Sequence, residues 1–433
     1  FGFALMGLSA YGLIAQAASR RARRAARTYL AWTIAGELLL FTAIISLAAS
    51  NGGALSFDAL QSIPRSPLPV LLLIAGFGIK LALPLLHWWL PPVYAVTPVA
   101  AVAVFSGVMI KAGLLGLLRF LPPGEATPAG WGMLLVVIGA ATIFFGVIAG
   151  LLQKRPRLLL GYSSISKMGV LTTGLGAALA FPTAAPGIVA ALLVYATHHA
   201  LAKTALFLGL GLVERSNLRL SLLIGLGFLA LVLAGAPLSS GALAKSALSD
   251  SLSQAAPVLV TLLAASTLAT TLLMVRFMFL LWSRRRQGIM PLPGVPLSAW
   301  LVLVSLIMAL PFVLAGIDQL MINIIPVALG LLLGLVGIRF GSHIYPVLIG
   351  GRKRVGIQAL SSPLRAALRH ELKNRRFDNT LQGIALTLAA YQRQAGEWLA
   401  RLQCHTESAR RPLTGALWLG IAGGLLGAFA AAT

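Results

Sequence analysis

Four lysines stand inside apolar stretches of this chain: Lys80, Lys111, Lys203 and Lys245. An ammonium at the centre of a bilayer costs about 2.5–3.5 kcal/mol on insertion scales. A lysine so placed is expected either on an ion path or with its head drawn out to the interface. One lysine alone fits either account. Four, without an equal number of acids, make poor structural ion pairs, and their chemistry suits proton handling. Burial disfavours the charged form of a lysine and a nearby carboxylate restores it, so an amine between those limits loads and releases a proton when a partner moves. His199 lies four residues before Lys203 and shares its helix face; an imidazole titrates near neutral pH and can bridge amines. Glu37 is the one carboxylate deep within an apolar run. Weaker candidates are His87, beside Trp88 and Trp89 where an aromatic-belt role is equally natural, His198, which points off the His199 face, and Asp250 near a helix end.

Two of the lysines adjoin helix breakers. In Ile79-Lys80-Leu81-Ala82-Leu83-Pro84 the proline has no N–H, so the Lys80 carbonyl four residues back loses its helical partner. Pro237, within Gly235-Ala236-Pro237-Leu238-Ser239-Ser240-Gly241, precedes Lys245 in the same manner. A buried charge beside loosened backbone marks a broken helix lining a polar cavity.

The elements that must carry these residues are transmembrane helices. The chain is 58% hydrophobic and 10% charged, against about 25% charged in soluble domains. An all-α polytopic membrane protein is expected. Spanning helices fall near 1–18, 29–49, 67–95, 97–120, 129–152, 158–181, 187–212, 219–253, 257–283, 297–316, 318–340 and 412–432. The stretch 219–253 is one broken helix around Pro237. Counting it as two would put Arg284, Arg285 and Arg286 opposite the other basic loops, Arg20–Arg27, Lys154–Arg157, Arg215–Arg219 and Arg352–Arg354. The arginine side is then cytoplasmic. The net charge of +24 thus reflects topology, and no nucleic-acid partner is expected.

From Phe377 the apolar residues Leu381, Ile384, Leu388, Tyr391, Ala395, Trp398 and Leu402 form a one-faced helical stripe. Such a helix, within 346–411, is expected along the cytoplasmic face, with a short coiled coil as the rival reading. The span 412–433 follows, with Gly420, Gly424 and Gly427 for close packing. The single cysteine, Cys404, excludes an internal disulfide and a cysteine-built metal cluster. The sequence has no phosphate loop, dinucleotide fingerprint, metal-ligand cluster or nucleophile elbow. No cofactor, no metal and no catalysis by the chain alone are expected. It begins at Phe1 without a signal-peptide pattern, and further N-terminal sequence is expected.

At these residues the chain resembles the antiporter-like, proton-conducting membrane subunits of respiratory complex I and its relatives. The matching pieces are Lys80–Pro91, Pro98–Arg119, Leu151–Lys154 with Leu160–Gly169, His199–Phe207 and Gly235–Lys245, in order and with matching spacing over about residues 1–285. The resemblance implies two inverted five-helix repeats, an incomplete one over 1–120 and a second over 121–285, each with a broken helix, then additional helices over 286–345. It implies that Lys80 and Lys245 sit in the broken helices, that Lys111 and Lys203 belong to a central polar chain, and that His199 bridges it. The span following an amphipathic helix looks like the subtype with a lateral helix. Two departures stand out: the family's first helices, about four, are absent, and Ala4 occupies the place where the family usually has a glutamate paired with the first broken-helix lysine. Glu37, one helix on, is the candidate replacement.

The expected function is proton translocation, or Na+/H+ antiport, by one subunit of a multi-subunit complex in a bacterial inner membrane. That complex is complex I-like, hydrogenase-like, a multi-subunit antiporter or an inorganic-carbon uptake system. Its other subunits would be met through the lateral helix and cytoplasmic loops. The alternative is a non-conducting scaffold that anchors a cytoplasmic partner; a quinone-reducing enzyme is remote for want of redox ligands.

Overall fold

The computed structural model describes residues 2–53, 56, 66–123, 127, 129–215, 219–283, 294–314 and 324–349. The chain divides into two compact units, 1–345 and 346–433. Beyond residue 349 the second lies outside the described residues, and with it the expected lateral helix and final span. The described part is helical throughout: α1 (Gly2–Ala15), α2 (Arg20–Ala49), α3 (Pro67–Leu81), α4 (Leu90–Val96), α5 (Val99–Gly107), a 3-10 turn (Met109–Lys111), α6 (Ala112–Phe120), α7 (Ala129–Leu151), α8 (Pro156–Ala180), α9 (Ala185–Arg215), α10 (Arg219–Ala234), α11 (Ser240–Ser253), α12 (Pro257–Trp282), α13 (Gly294–Leu314) and α14 (Ile324–Ile349).

Six stretches are long and apolar enough to cross a membrane on their own, and four further apolar helices are 10–17 residues long. The protein is a multi-pass membrane protein. Two of the shorter helices, α3 and α10, are cut by breaks. The central helix α8 spans by length yet carries Ser163, Ser164, Ser166, Lys167, Thr172 and Thr173. It can do so because it is buried without interruption from Leu159 to Leu179; polar residues are tolerated at membrane depth when they face protein. The peripheral helices show the converse, with Phe312, Val313 and Ile325 exposed as a lipid-facing surface would be.

Arg20–Arg27, expected in a loop, form the first turns of α2. Ser19 caps the helix, its Oγ accepting from the Ala22 N–H at 3.0 Å. Ala22, Ala25 and Ala26 turn inwards while the arginines stay exposed. Arginine and alanine are strong helix formers, so charge ended the apolar pattern without ending the helix.

The two expected breaks share one backbone design. After α3, Ala82 adopts the left-handed conformation (φ +54°), its N–H meets the Gly78 and Ile79 carbonyls, and the Leu83 N–H bonds the Gly78 carbonyl at 3.0 Å. After α10, Gly235 (φ +91°) meets Leu231 and Val232, and the Ala236 N–H bonds the Leu231 carbonyl at 3.0 Å. Each is a Schellman-type helix end. Each continues through a proline, Pro84 or Pro237, to a left-handed leucine, Leu85 (φ +67°) or Leu238 (φ +60°). Trp89 closes the first break by donating its indole N–H to the Ile79 carbonyl at 2.7 Å. Ser239 caps α11 across the second, accepting from the Ala242 N–H at 3.2 Å. Gly241 follows, where a Cβ would strike the Val232 carbonyl.

Helices α7 and α8 form an antiparallel hairpin whose backbones touch. Gly132, Gly139 and Gly146, seven residues apart, face Gly176, Gly169 and Ser166. A Cβ on Gly169 would lie 2.6 Å from the Ile143 nitrogen and 2.7 Å from the Gly139 oxygen. Helix α9 packs against α5, α8, α10, α11 and α13, so its polar face meets most of the bundle.

Candidate functional site

Lys111, Lys203 and two serines form one hydrogen-bonded thread. The helix ends at Gly107, where the backbone lies against Thr204 and Ala200 of α9 and a Cβ would collide with the Thr204 hydroxyl. The chain then tightens into the 3-10 turn that carries Lys111, a third interruption that no proline announces. The carbonyls of a helix's last turn lack intrahelical partners and carry the negative end of its dipole. Lys111 Nζ donates to one of them, the Ser106 carbonyl. The Ser106 and Ser164 hydroxyls are 2.8 Å apart. The Ser164 hydroxyl donates to the Leu160 carbonyl at 3.1 Å, and Lys203 Nζ donates to the same oxygen at 2.8 Å.

Lys245 follows the same electrostatic logic at the second break: its Nζ donates to the Ala234 carbonyl, the last of α10. Gly235 makes room for it, since a Cβ there would lie 2.8 Å from that amine. Helix-end carbonyls, rather than carboxylates, thus receive two of the buried amines.

Between these groups stands Lys167, which sequence reasoning did not single out although it lies inside an apolar span like the other four. Its Nζ donates to the Thr270 hydroxyl at 2.6 Å, and that hydroxyl passes its own proton to the Ser266 carbonyl at 2.6 Å. Lys167 is within electrostatic reach of His198, His199, Lys203 and Lys245. His198 and His199 do face different neighbours. The His198 Nδ1 lies 2.9 Å from the hydroxyl of Ser240, at the start of α11. His199 is fully buried, and neither of its ring nitrogens has a hydrogen-bond partner among the described residues. It lies within electrostatic reach of Lys111, Lys203, His198 and Lys167.

Lys80 sits apart from this group, in the last turn of α3, 3% exposed. Its Nζ lies 4.9 Å from the Phe3 ring centre and 5.8 Å from that of Tyr29, where the ring faces attract a cation. Glu37, half-buried on α2, faces it. Glu37 Oε1 and Lys80 Nζ lie 2.9 Å and 3.3 Å from the point where a Cβ on Gly7 would stand. Gly7 of α1 leaves room for both groups, and neither Glu37 Oε1 nor Lys80 Nζ has a hydrogen-bond partner among the described residues.

His87, within the first break, packs against the Trp88 ring at 5.5 Å and edge-on to Phe145 at 4.7 Å. Asp250 is exposed at the far end of α11.

A family profile described as "NADH:quinone oxidoreductase/Mrp antiporter, TM" matches residues 1–268. Among curated proteins, the chain is 30% identical over 224 residues to hydrogenase-4 component B of Escherichia coli (strain K12), 49% of this chain and 33% of that one. It is 35% identical over 159 residues to formate hydrogenlyase subunit 3 of the same organism, 36% of this chain and 26% of that one. With NADH-quinone oxidoreductase subunit N of Desulforudis audaxviator (strain MP104C) it shares 34% identity over 221 residues, 47% of this chain and 41% of that one. The chain therefore spans less than half the length of each of these relatives. Among solved structures, a chain of the membrane-bound sulfane sulfur reductase, an archaeal respiratory membrane complex, has the same fold. The TM-score is 0.63 at 23% identity, covering 98% of this chain and 79% of that one.

Proposed function

The chain belongs to the NADH:quinone oxidoreductase/Mrp antiporter transmembrane family, and from that premise we propose that it is the proton-translocating subunit of a multi-subunit complex in a bacterial inner membrane. The observation that carries the proposal is the buried group of Lys111, Lys167, His199 and Lys203, with the Ser106 and Ser164 hydroxyls 2.8 Å apart beside the carbonyls that receive Lys111 and Lys203. The two hydroxyls can hand a proton to one another, while the Ser106 and Leu160 carbonyls hold the two amines beside them as acceptors. Lys203, His199 and Lys167 extend the route towards Lys245 at the second break, and Lys80 with Glu37 stands at the first. Neighbouring ammoniums repel one another, the more so out of water. A proton loaded at one end therefore favours release at the other.

In this reading residues 1–120 and 121–285 are the two inverted repeats and 286–345 are added helices. Residues 346–411 form the lateral helix and 412–433 the last span. The lateral helix and cytoplasmic loops meet the driving subunits. An assembly of the hydrogenase-4 or formate hydrogenlyase kind fits best, because the carboxylate usual in the complex I mechanism is displaced from α1 to Glu37.

The test is proton flux. The complex, captured from its native membrane by a tag on this chain, is reconstituted into vesicles holding a pH dye. Lys203→Ala and Lys245→Ala are each expected to lower flux about 100-fold, the scale of a positioned proton-transfer group. Unchanged flux in both would leave only a scaffold, and Na+ flux in the same vesicles separates the two ions.

A further inference from the structure

We propose that the outward face of α2 is a binding site for an anionic phospholipid, with the headgroup phosphate on Arg20, Arg24 and Arg27 and an acyl chain along Ala31, Ala35, Leu38 and Ile45. The inference rests on the chain's place in a membrane and is independent of the conducting role.

Helix α2 has two faces. Ala22, Tyr29, Thr33, Gly36, Leu40 and Leu47 are buried, and at 3.6 residues per turn they fall on one side. Arg20, Arg24 and Arg27 lie on the other side and are exposed. The same line continues, at steps of three or four, through Ala31, Ala35, Leu38, Thr42 and Ile45, all exposed. Thr42 brings no open polar group to it, since its hydroxyl donates to the Leu38 carbonyl at 2.9 Å. From Arg27 to Leu38 is about 16 Å at 1.5 Å per residue, close to one leaflet of hydrocarbon, about 15 Å.

No acid balances these arginines among the described residues. Helix α1 carries none. Glu37, the one acid of α2, faces Lys80 and lies about 15 Å along the axis beyond Arg27. The helix itself opposes them: cations in its first turn meet the positive end of the dipole. Arg20 with Arg24, and Arg23 with Arg27, are like charges four residues apart and repel. An orientation signal needs only cations near the membrane, and Lys154 and Arg155 supply it from a turn. Five arginines held in a helix, against its local preference, call for an anion from outside.

The guanidinium fork fits two oxygens of one phosphate, and all five residues are arginine. They line a surface hollow of about 410 Å³. Arg23 is tethered to the Ala18 carbonyl at 2.9 Å, which leaves the three on the line to a ligand. A lipid fits better than an acidic protein segment, because the line runs without a step from cations into apolar surface. An acidic segment would complement only its head.

The tagged complex, reconstituted in phosphatidylcholine vesicles, is titrated with phosphatidylglycerol bearing a photoreactive acyl chain, and adducts are mapped by peptide mass spectrometry. Labelling is expected within Ala31–Ile45. Arg20→Gln, Arg24→Gln and Arg27→Gln should each weaken it about fivefold, and the triple variant about 100-fold. Lys154→Gln with Arg155→Gln should leave it unchanged. Should the triple variant fail to accumulate in the membrane, the single variants decide. Equal labelling by photoreactive phosphatidylcholine, or wild-type labelling in the Gln variants, overturns the site. Loss of labelling in millimolar inorganic phosphate marks a free-anion site and overturns the lipid assignment. Capture of protein instead of lipid by a benzophenone side chain in place of Arg24 overturns it in favour of a docked segment.

Discussion

Removing one hydroxyl, with Ser164→Ala, tests whether the central thread conducts or only holds helices together. Ser164 is fully buried, 2.8 Å from the Ser106 hydroxyl and 3.1 Å from the Leu160 carbonyl. A net hydrogen bond contributes about 1 kcal/mol, and orphaning a buried partner costs about 1–3 kcal/mol. The Leu160 carbonyl keeps its backbone environment and the Lys203 amine, so the orphan is Ser106, and a loss of about 2 kcal/mol in equilibrium unfolding is expected. If protons cross this bridge, the variant also lacks the hydroxyl that relays them, and flux falls about 100-fold, the scale of a positioned proton-transfer group. Ser164→Thr, which retains a hydroxyl, should recover most of that flux. Wild-type flux in Ser164→Ala, alongside the expected loss of stability, would refute the reasoning: the bridge would be structural, and protons would take another route.

Four further outcomes follow from the geometry. Ala82→Gly should stabilise the protein by about 1 kcal/mol in mixed-micelle unfolding, because alanine at φ +54° bears the left-handed steric cost that glycine escapes. Trp89→Phe should destabilise by about 1–2 kcal/mol, since the Ile79 carbonyl loses its 2.7 Å indole donor; an unchanged unfolding midpoint would show that the break closes without it. Gly169→Ala forces a methyl group into the backbone of α7, and a loss of about 1–3 kcal/mol or failure to accumulate in the membrane is expected. Glu37→Gln should lower proton flux about 10-fold while leaving the fold intact, because Lys80 then faces an amide that cannot exchange charge with it.

The breaks were visible in the chain because proline and glycine act locally: Pro84 and Pro237 interrupt a helix whatever surrounds them. The lysines were visible because apolar neighbours make a charge conspicuous. What each lysine binds was not, since Lys203 finds a carbonyl 43 residues away in sequence and Lys245 one across a break. The turn at Met109–Lys111 left no local sign, since no proline stands beside it. Lys167 obeys the same rule as its neighbours, but the serines around it make that part of α8 less apolar and the charge less conspicuous. The arginines of α2 lie on the outer face of a helix that runs on past its apolar stretch, so charge marks the end of the apolar pattern and not of the helix.

The glycine contacts between α7 and α8 act as a keel. Their seven-residue spacing means that the next register offering the same clearance lies about 10 Å further along, at 1.5 Å per residue. Small axial slips are therefore blocked, and Ser163, Ser164, Ser166 and Lys167 stay at one depth. In the proposed conducting role, the broken pairs α3 with α4 and α10 with α11, rather than this rail, are where the backbone is free of helical continuity.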